Sequence, residues 1–156
     1  MEEFKIRELN KDDIEKILPL RIALQVFDYG RINVKINEKR LEEHTREYLK
    51  THLGKSIIMF GGFVGENLVS ICGYNIFEYL PIHSNPSGRE ANICSVYTKE
   101  EYRGKGYMTK LFEVCVNHAK NNGLNRLKLS SGNPIAVNIY KKFGFSKHED
   151  TYKCFN

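Results

Sequence analysis

Two glycines and two cations stand where a strand-like run gives way to a helix, in Tyr102-Arg103-Gly104-Lys105-Gly106-Tyr107-Met108. The run before it, Ala91-Asn92-Ile93-Cys94-Ser95-Val96-Tyr97, has the β-branched and aromatic content of a strand. After it, apolar residues fall at Met108, Leu111, Phe112, Cys115, Val116 and Ala119, the spacing of one helix face. A glycine loop feeding a helix start offers backbone N–H groups and the positive end of the helix dipole. Both favour a phosphate-bearing ligand.

The rest of the chain predicts an alternation of strands and helices. Phe4–Leu9 alternates at period two and reads as a strand. Asn10 caps a helix with Asp12 and Asp13 in its first turn, an apolar stripe from Ile14 to Val26, and a kink at Pro19. Asp28–Asn33 breaks that pattern, and Asn37 caps a second, highly charged helix running to about Leu53. Ser56–Phe60, Phe63–Val64 and Leu68–Phe77 read as strands, with turn chemistry at Gly65-Glu66-Asn67. Leu80–Gly88 is a loop. Gly123 stops the helix that follows the glycine segment, and Leu124–Ser130 is a further strand. Asn133-Pro134 starts a short helix with Ile135, Ile139 and Phe143 on its apolar face, and Phe145–Phe155 supplies one or two last strands. The expected order is β-α-α-β-β-β-α-β-α-β(β), an α/β fold with a mixed, mostly antiparallel sheet flanked by helices. At 156 residues it is expected to form one domain, 1–156, large enough to need neither metal nor disulfide.

Composition narrows the partners. The net charge of +5 comes from basic residues spread along the chain, and no nucleic-acid module accompanies it, so nucleic acid is not an expected partner. No apolar run approaches the roughly 20 residues of a membrane span, and Met1–Lys5 lacks the order of a secretion signal. A cytoplasmic protein is expected. Its cysteines (Cys72, Cys94, Cys115, Cys154) are widely spaced and read as reduced thiols, and its histidines form no metal-ligand ladder, so no metal is expected.

Arg103-Gly104-Lys105-Gly106-Tyr107-Met108 resembles the R-x-x-G-x-G/A acetyl-CoA signature of the GCN5-related N-acetyltransferases, with Met108 replacing the usual last Gly or Ala. Asn133-x-x-Ala136-x-x-Ile139-Tyr140-x-x-Phe143-Gly144-Phe145 resembles the ending N-x-x-A-x-x-L-Y-x-x-x-G-F of the same family. The two motifs stand in the expected order, and the element order fits that fold over nearly the whole chain. The resemblance implies transfer of an acetyl group from acetyl-CoA to a primary amine by direct attack on the thioester. The alternative is a CoA-binding module of the same fold without transferase activity. A homodimer is compatible with either.

The resemblance also implies roles. The pyrophosphate of the cofactor lies on the backbone of Arg103, Gly104, Lys105, Gly106, Tyr107 and Met108, with Thr109 reaching a phosphate oxygen. The pantetheine arm pairs with the strand at Val96, and Asn133 contacts that arm. Tyr140 matches the general acid, for which an ordinary phenol pKa near 10 suits a departing thiolate. A strand amide near Val96 would stabilise the developing negative charge; losing one such donor costs about 3–4 kcal/mol. The base stays open. Lys128 stands where some relatives carry a Glu, leaving Glu90, Glu78, His83 or a water. Cys94 reads as a buried strand cysteine rather than a nucleophile. Gln25, Asp28, Tyr29, Arg31 and Asn33, around the break between the first helices, are candidates for acceptor choice.

Overall fold

The computed structural model describes residues 2–124, 126–130, 134–148, 152 and 154. Its elements are β1 (Phe4–Glu8), α1 (Ile14–Gly30), α2 (Glu38–His52), β2 (Ile57–Val64), β3 (Asn67–Glu78), β4 (Arg89–Thr98), α3 (Tyr107–Asn121), β5 (Leu127–Lys128) and α4 (Pro134–Lys142). The strands form one sheet in the order β1-β2-β3-β4-β5, antiparallel throughout except for the parallel pair β4–β5. The expected element order therefore holds through α4. Phe145–His148 is described and is not strand, and the remainder of the predicted final strand lies outside the described residues apart from Tyr152 and Cys154.

Each face of the sheet carries its own core. On one, Leu111, Phe112, Cys115, Val116 and Ala119 of α3 and Tyr140 of α4 pack with Phe60, Cys72, Tyr74, Ala91 and Ile93. On the other, Ile14, Ile17, Leu18 and Leu20 of α1 and Leu49 of α2 pack with Met59, Phe63 and Ile71. The alternation of β2, β3 and β4 sends successive side chains to opposite cores. Both must be apolar, which is why β2 reads as a near-continuous hydrophobic run.

Local chemistry sets the boundaries. The Asn10 side chain accepts from the Asp12 amide and the Asp13 carboxylate accepts from the Asn10 amide, so a short 3-10 turn at Lys11–Asp13 launches α1. Asp13 is held further by a bidentate pair with Arg7 at 2.7 and 2.8 Å, and the guanidinium lies over the Phe63 ring. This ties β1 to α1. Pro19 sits inside α1, and the helix continues through it to Gly30. Asn37 caps α2 by accepting from the Arg40 amide at 3.0 Å, as its sequence predicts. The two predicted pieces Ser56–Phe60 and Phe63–Val64 are one strand running through Gly61 and Gly62. A Cβ on Gly61 would meet Leu9 and Leu68 at 2.6 Å, and one on Gly62 would meet Phe4. These glycines mark close packing rather than a break.

Candidate active site

β4 carries the site because its two ends have different neighbours. At its start it pairs with β5 at Ala91↔Leu127 and Asn92↔Lys128. Beyond Asn92, β4 has no strand partner on this side among the described residues, which leave its edge open from Ile93 to Thr98. On its other side β4 pairs with β3, but the register slips: Gly73 faces Cys94 while Ile71 faces Tyr97. Ser95 and Val96 thus stand opposite the single residue Cys72, which is a β-bulge. Ser95 adopts φ +56, a left-handed conformation that L-residues other than Gly adopt at a cost of about 1–2 kcal/mol. The bulge has a visible effect on phase. Ile93 and Val96 both pack against the α3 core while Cys94 and Tyr97 pack against the α1 core. An unbroken strand would put Ile93 and Val96 on opposite faces.

Past Thr98 a short turn, Glu100–Tyr102, leads into the glycine loop. Gly104 and Gly106 have φ of +75 and +76, and a Cβ on either would meet nothing within 4 Å. These positions select glycine by backbone conformation alone. Gly106 is the N-cap of α3 and supplies no side chain to cap it. Arg103 N–H bonds to the Glu100 carbonyl and Lys110 N–H to the Gly106 carbonyl. Between them, the amides from Gly104 to Thr109 find no backbone acceptor among the described residues. Donors in that state at the positive end of a helix form a ready anion cradle.

The side chains around the loop are more committed than the motif suggests. Arg103 Nε donates to the Thr98 carbonyl at 2.9 Å and its guanidinium lies over Tyr97, which holds the loop to the end of β4. Lys105 lies over the Tyr102 ring, 5.4 Å from its centroid. Tyr107 is stacked on Phe4 with centroids 4.0 Å apart, so the ring serves packing and only the backbone faces the cradle. Met108 packs against the α3 core. It is an ordinary position in the first turn of α3, with room for a large side chain.

Tyr140 is brought to the same core as Val96 and Met108. It is 7 % exposed, with the Phe112 ring 5.4 Å away and the Phe145 ring 6.4 Å away. Asn133 lies outside the described residues. Cys94 is half-buried on β4, and desolvation pushes its thiol pKa up to about 11; it stays a protonated thiol at neutral pH, so the reading as a strand cysteine rather than a nucleophile fits. Gln25 and Tyr29 line a cleft of about 390 Å³ with Ile36, Asn37, Arg40 and His44, between the end of α1 and the start of α2. Asp28, Arg31 and Asn33 are not among the residues lining it.

Of the base candidates, Glu90 is buried with its Oε1 2.9 Å from Arg126 Nε and its Oε2 3.0 Å from Lys128 Nζ. Both oxygens are taken by cations. Glu78 lies 4.0 Å from Arg89, and His83 is exposed on the β3–β4 loop. Sequence reading missed two features here. The Glu90–Arg126–Lys128 cluster joins residues far apart in the chain and leaves no sequence signal. The bulge did leave one: the apolar positions facing the α3 core run Ala91, Ile93, then the half-buried Val96, a step of three where a strand steps by two.

A parallel strand pair that parts after one step, with idle amides beyond the open edge, defines a class of protein. It is an α/β domain suited to an extended, phosphate-bearing ligand. The chain matches the Acetyltransferase (GNAT) family over residues 26–145. It is 28 % identical to the thialysine N-epsilon-acetyltransferase of Mus musculus over 145 residues, 90 % of this chain and 82 % of that protein. Identity to the Sus scrofa protein of the same name is 27 %, with 89 % and 82 % covered. Its fold superposes with TM-score 0.85 and 21 % identity on a predicted acetyltransferase of Clostridium acetobutylicum solved with acetyl-CoA, covering 98 % and 96 % of the two chains. A GCN5-related N-acetyltransferase of Ralstonia eutropha gives TM-score 0.83 at 18 % identity, covering 98 % and 99 %. The chain belongs to the GNAT acetyltransferase family, and its activity is acetyl-CoA-dependent N-acetylation of an amine.

Proposed function

We propose that the chain, as a single domain over 1–156, acetylates the primary amine of a small acceptor of the thialysine kind, with Tyr140 as general acid. The observation that carries the reading is the continuity of the open edge of β4 with the amides of Gly104–Thr109, which have no backbone acceptor among the described residues. Those amides bind the diphosphate, Lys105 adds charge, and the Thr109 hydroxyl, in the first turn of α3, reaches a phosphate oxygen. Arg103 holds the loop in place through Thr98 and leaves its other guanidinium nitrogens for phosphate. Val96, at the bulge, aligns the pantetheine arm by its backbone, and Asn133 contacts that arm by its match to the family motif.

When bound, acetyl-CoA supplies the thioester that the amine attacks. With the diphosphate past Thr98, the arm would run back along the edge of β4 and bring its thioester to the bulge beside Val96. α3 and α4 cover one face of the sheet, and the cofactor loop belongs to α3. The Val96 amide steadies charge on the carbonyl oxygen, and the Tyr140 hydroxyl holds the proton that the leaving sulfur takes up. No acyl-enzyme is required, in keeping with the protonated thiol of Cys94.

The experiment is kinetic. Tyr140→Phe is expected to lower kcat by about 10²-fold or more while leaving cofactor affinity within a few-fold. Acetyl-CoA at about 100 times its Kd should raise Tm, since that much binding adds about 2.7 kcal/mol to the folded state. Unchanged kcat removes Tyr140 from the mechanism, and an unchanged Tm removes the cofactor reading.

A further inference from the structure

The bulge in β4 competes with a straight ladder that the same residues could form. Upstream of it, β3 and β4 pair without a break from Glu78↔Arg89 to Gly73↔Cys94. Downstream, the pairs among the described residues are Ile71↔Tyr97 and Ser70↔Thr98, followed by the Lys99 amide on the Val69 carbonyl at 2.9 Å. Carried on unbulged, the upstream register would set Ile71 opposite Val96 and Ser70 opposite Tyr97. That ladder would also release Ser95 from its φ of +56. The short downstream segment must therefore hold the bulged register against the strain.

Two buried hydroxyls suit one register and not the other. Ser70 and Thr98 are both buried, and their hydroxyl oxygens meet at 2.8 Å. Ser70 Oγ donates to the Tyr97 carbonyl at 3.2 Å, so the Thr98 hydroxyl donates in turn to Ser70. Both side chains lie on the face that Cys72 and Val96 share with α3, two residues along each strand. In the straight ladder Thr98 would turn its hydroxyl to the α1 side, among residues such as Ile71, and Tyr97 would leave that side. Each hydroxyl would lose its partner, and a buried hydroxyl left alone costs more than its hydrogen bond was worth. The pair is a latch that closes in the bulged register alone.

The latch reaches the cofactor loop. Arg103 Nε bonds the Thr98 carbonyl at 2.9 Å while its guanidinium lies over the Tyr97 ring, so the loop is moored to the two residues whose facing the latch decides. Ser70 itself belongs to β3, on the far side of β4 from the open edge. Its influence on a ligand bound along that edge passes through β4.

We propose that Ser70 and Thr98 are positioning residues: their hydroxyl pair latches the bulge of β4, and through it holds the Val96 amide and the Arg103–Thr109 loop in the geometry that takes acetyl-CoA. The effect on the cofactor rests on the acetyltransferase reading above; the latch itself rests on the ladder.

The test uses Thr98→Val, Thr98→Ser and the double variant Ser70→Ala/Thr98→Val. Removing both hydroxyls orphans neither, so the double variant should melt within about 4 °C of wild type. Cross-strand nuclear Overhauser contacts read the register without ligand, and calorimetry reads acetyl-CoA affinity. Wild type should show Ile71 facing Tyr97. The double variant should add a second set of contacts pairing Ile71 with Val96, and its Kd for acetyl-CoA should rise ten-fold or more despite the near-normal melting point. Thr98→Val should weaken binding likewise, while Thr98→Ser, which keeps the hydroxyl, should bind within two-fold of wild type. A double variant with the wild-type contacts alone, or with a wild-type Kd, overturns the proposal, and so does a Thr98→Ser protein that binds as poorly as Thr98→Val. Wild type that shows the bulged contacts yet binds no acetyl-CoA overturns the acetyltransferase reading instead, and the register of the variants still decides the latch. Should the double variant not fold, Thr98→Val against Thr98→Ser decides by the same two readouts.

Discussion

Replacing Gly106 by Ala isolates the backbone geometry on which the cradle depends. A Cβ at Gly106 meets nothing within 4 Å, so no clash enters the balance. What remains is φ +76, which an L-residue occupies at a cost of about 1–2 kcal/mol. For a domain of this size each kcal/mol lowers Tm by about 2–4 °C, so the variant should melt about 2–8 °C lower. Gly30 supplies the control. Its added Cβ also meets nothing within 4 Å, but Gly30 lies in the last turn of α1 at an ordinary φ. Gly30→Ala should be neutral or stabilise by up to about 1 kcal/mol through helix propensity. The two proteins, melted side by side by circular dichroism, share the chemistry of the substitution and differ in backbone conformation. If the alanine of Gly106→Ala instead relaxes φ, the stability loss shrinks but the amides of the first turn of α3 turn away. Acetyl-CoA affinity should then drop ten-fold or more by calorimetry. A Gly106→Ala protein with both unchanged Tm and unchanged affinity refutes the reasoning.

The bulge and the β1–α1 junction give further expectations. Ser95→Val, placing a β-branched side chain at φ +56, should destabilise by about 1–3 kcal/mol, whereas Ser95→Gly should cost less than about 0.5 kcal/mol; equal unfolding midpoints for the two in urea would contradict the bulge. Asp13→Ala removes a capping carboxylate and the partner of Arg7; since Arg7 is half exposed, the loss is about 1–2 kcal/mol by thermal melting, and a change below about 0.3 kcal/mol would refute the lock. The hydrogen bonds from Arg7, against the opposing effect of burial, hold the Asp13 pKa below its ordinary value. The sign follows: the folded state binds this proton less readily than the unfolded, so the contribution is complete above about pH 4 and fades as pH falls through the folded pKa. Wild type should therefore lose more stability than Asp13→Ala on acidification below about pH 4, and parallel pH profiles would contradict it.

Much of this was legible because local chemistry and long-range packing agree. Asn10, Asn37 and Gly123 mark helix ends by side-chain capping or positive φ, which short-range sequence encodes. The stripe Leu111-Phe112-Cys115-Val116 needs only a sheet to cover it. Gly61-Gly62 misled, because a glycine pair signals a turn unless a neighbour such as Phe4 presses on the strand, and that neighbour comes from β1. Pro19 sits within a continuous α1, whose Ile17, Leu18 and Leu20 are buried on either side of it. In the site, the junction of strand, glycine loop and helix was readable from its residues alone. The roles of its side chains were not: Arg103 is spent partly on Thr98, and Tyr107 on Phe4. Nor was the fate of Glu90, whose cationic partners arrive on β5 and the residue before it. Pairing between distant charges is set by sheet register, which no local window contains.

The central claim is that the open edge of β4 and the amides from Gly104 to Thr109 together take the acyl carrier. An amide-resolved NMR titration with acetyl-CoA addresses it directly. The largest shifts are expected at Gly104, Gly106, Tyr107, Met108 and Thr109, with Val96 moving alongside them and β1 amides nearly still. Saturable binding that leaves those loop resonances in place, and moves others instead, would contradict it.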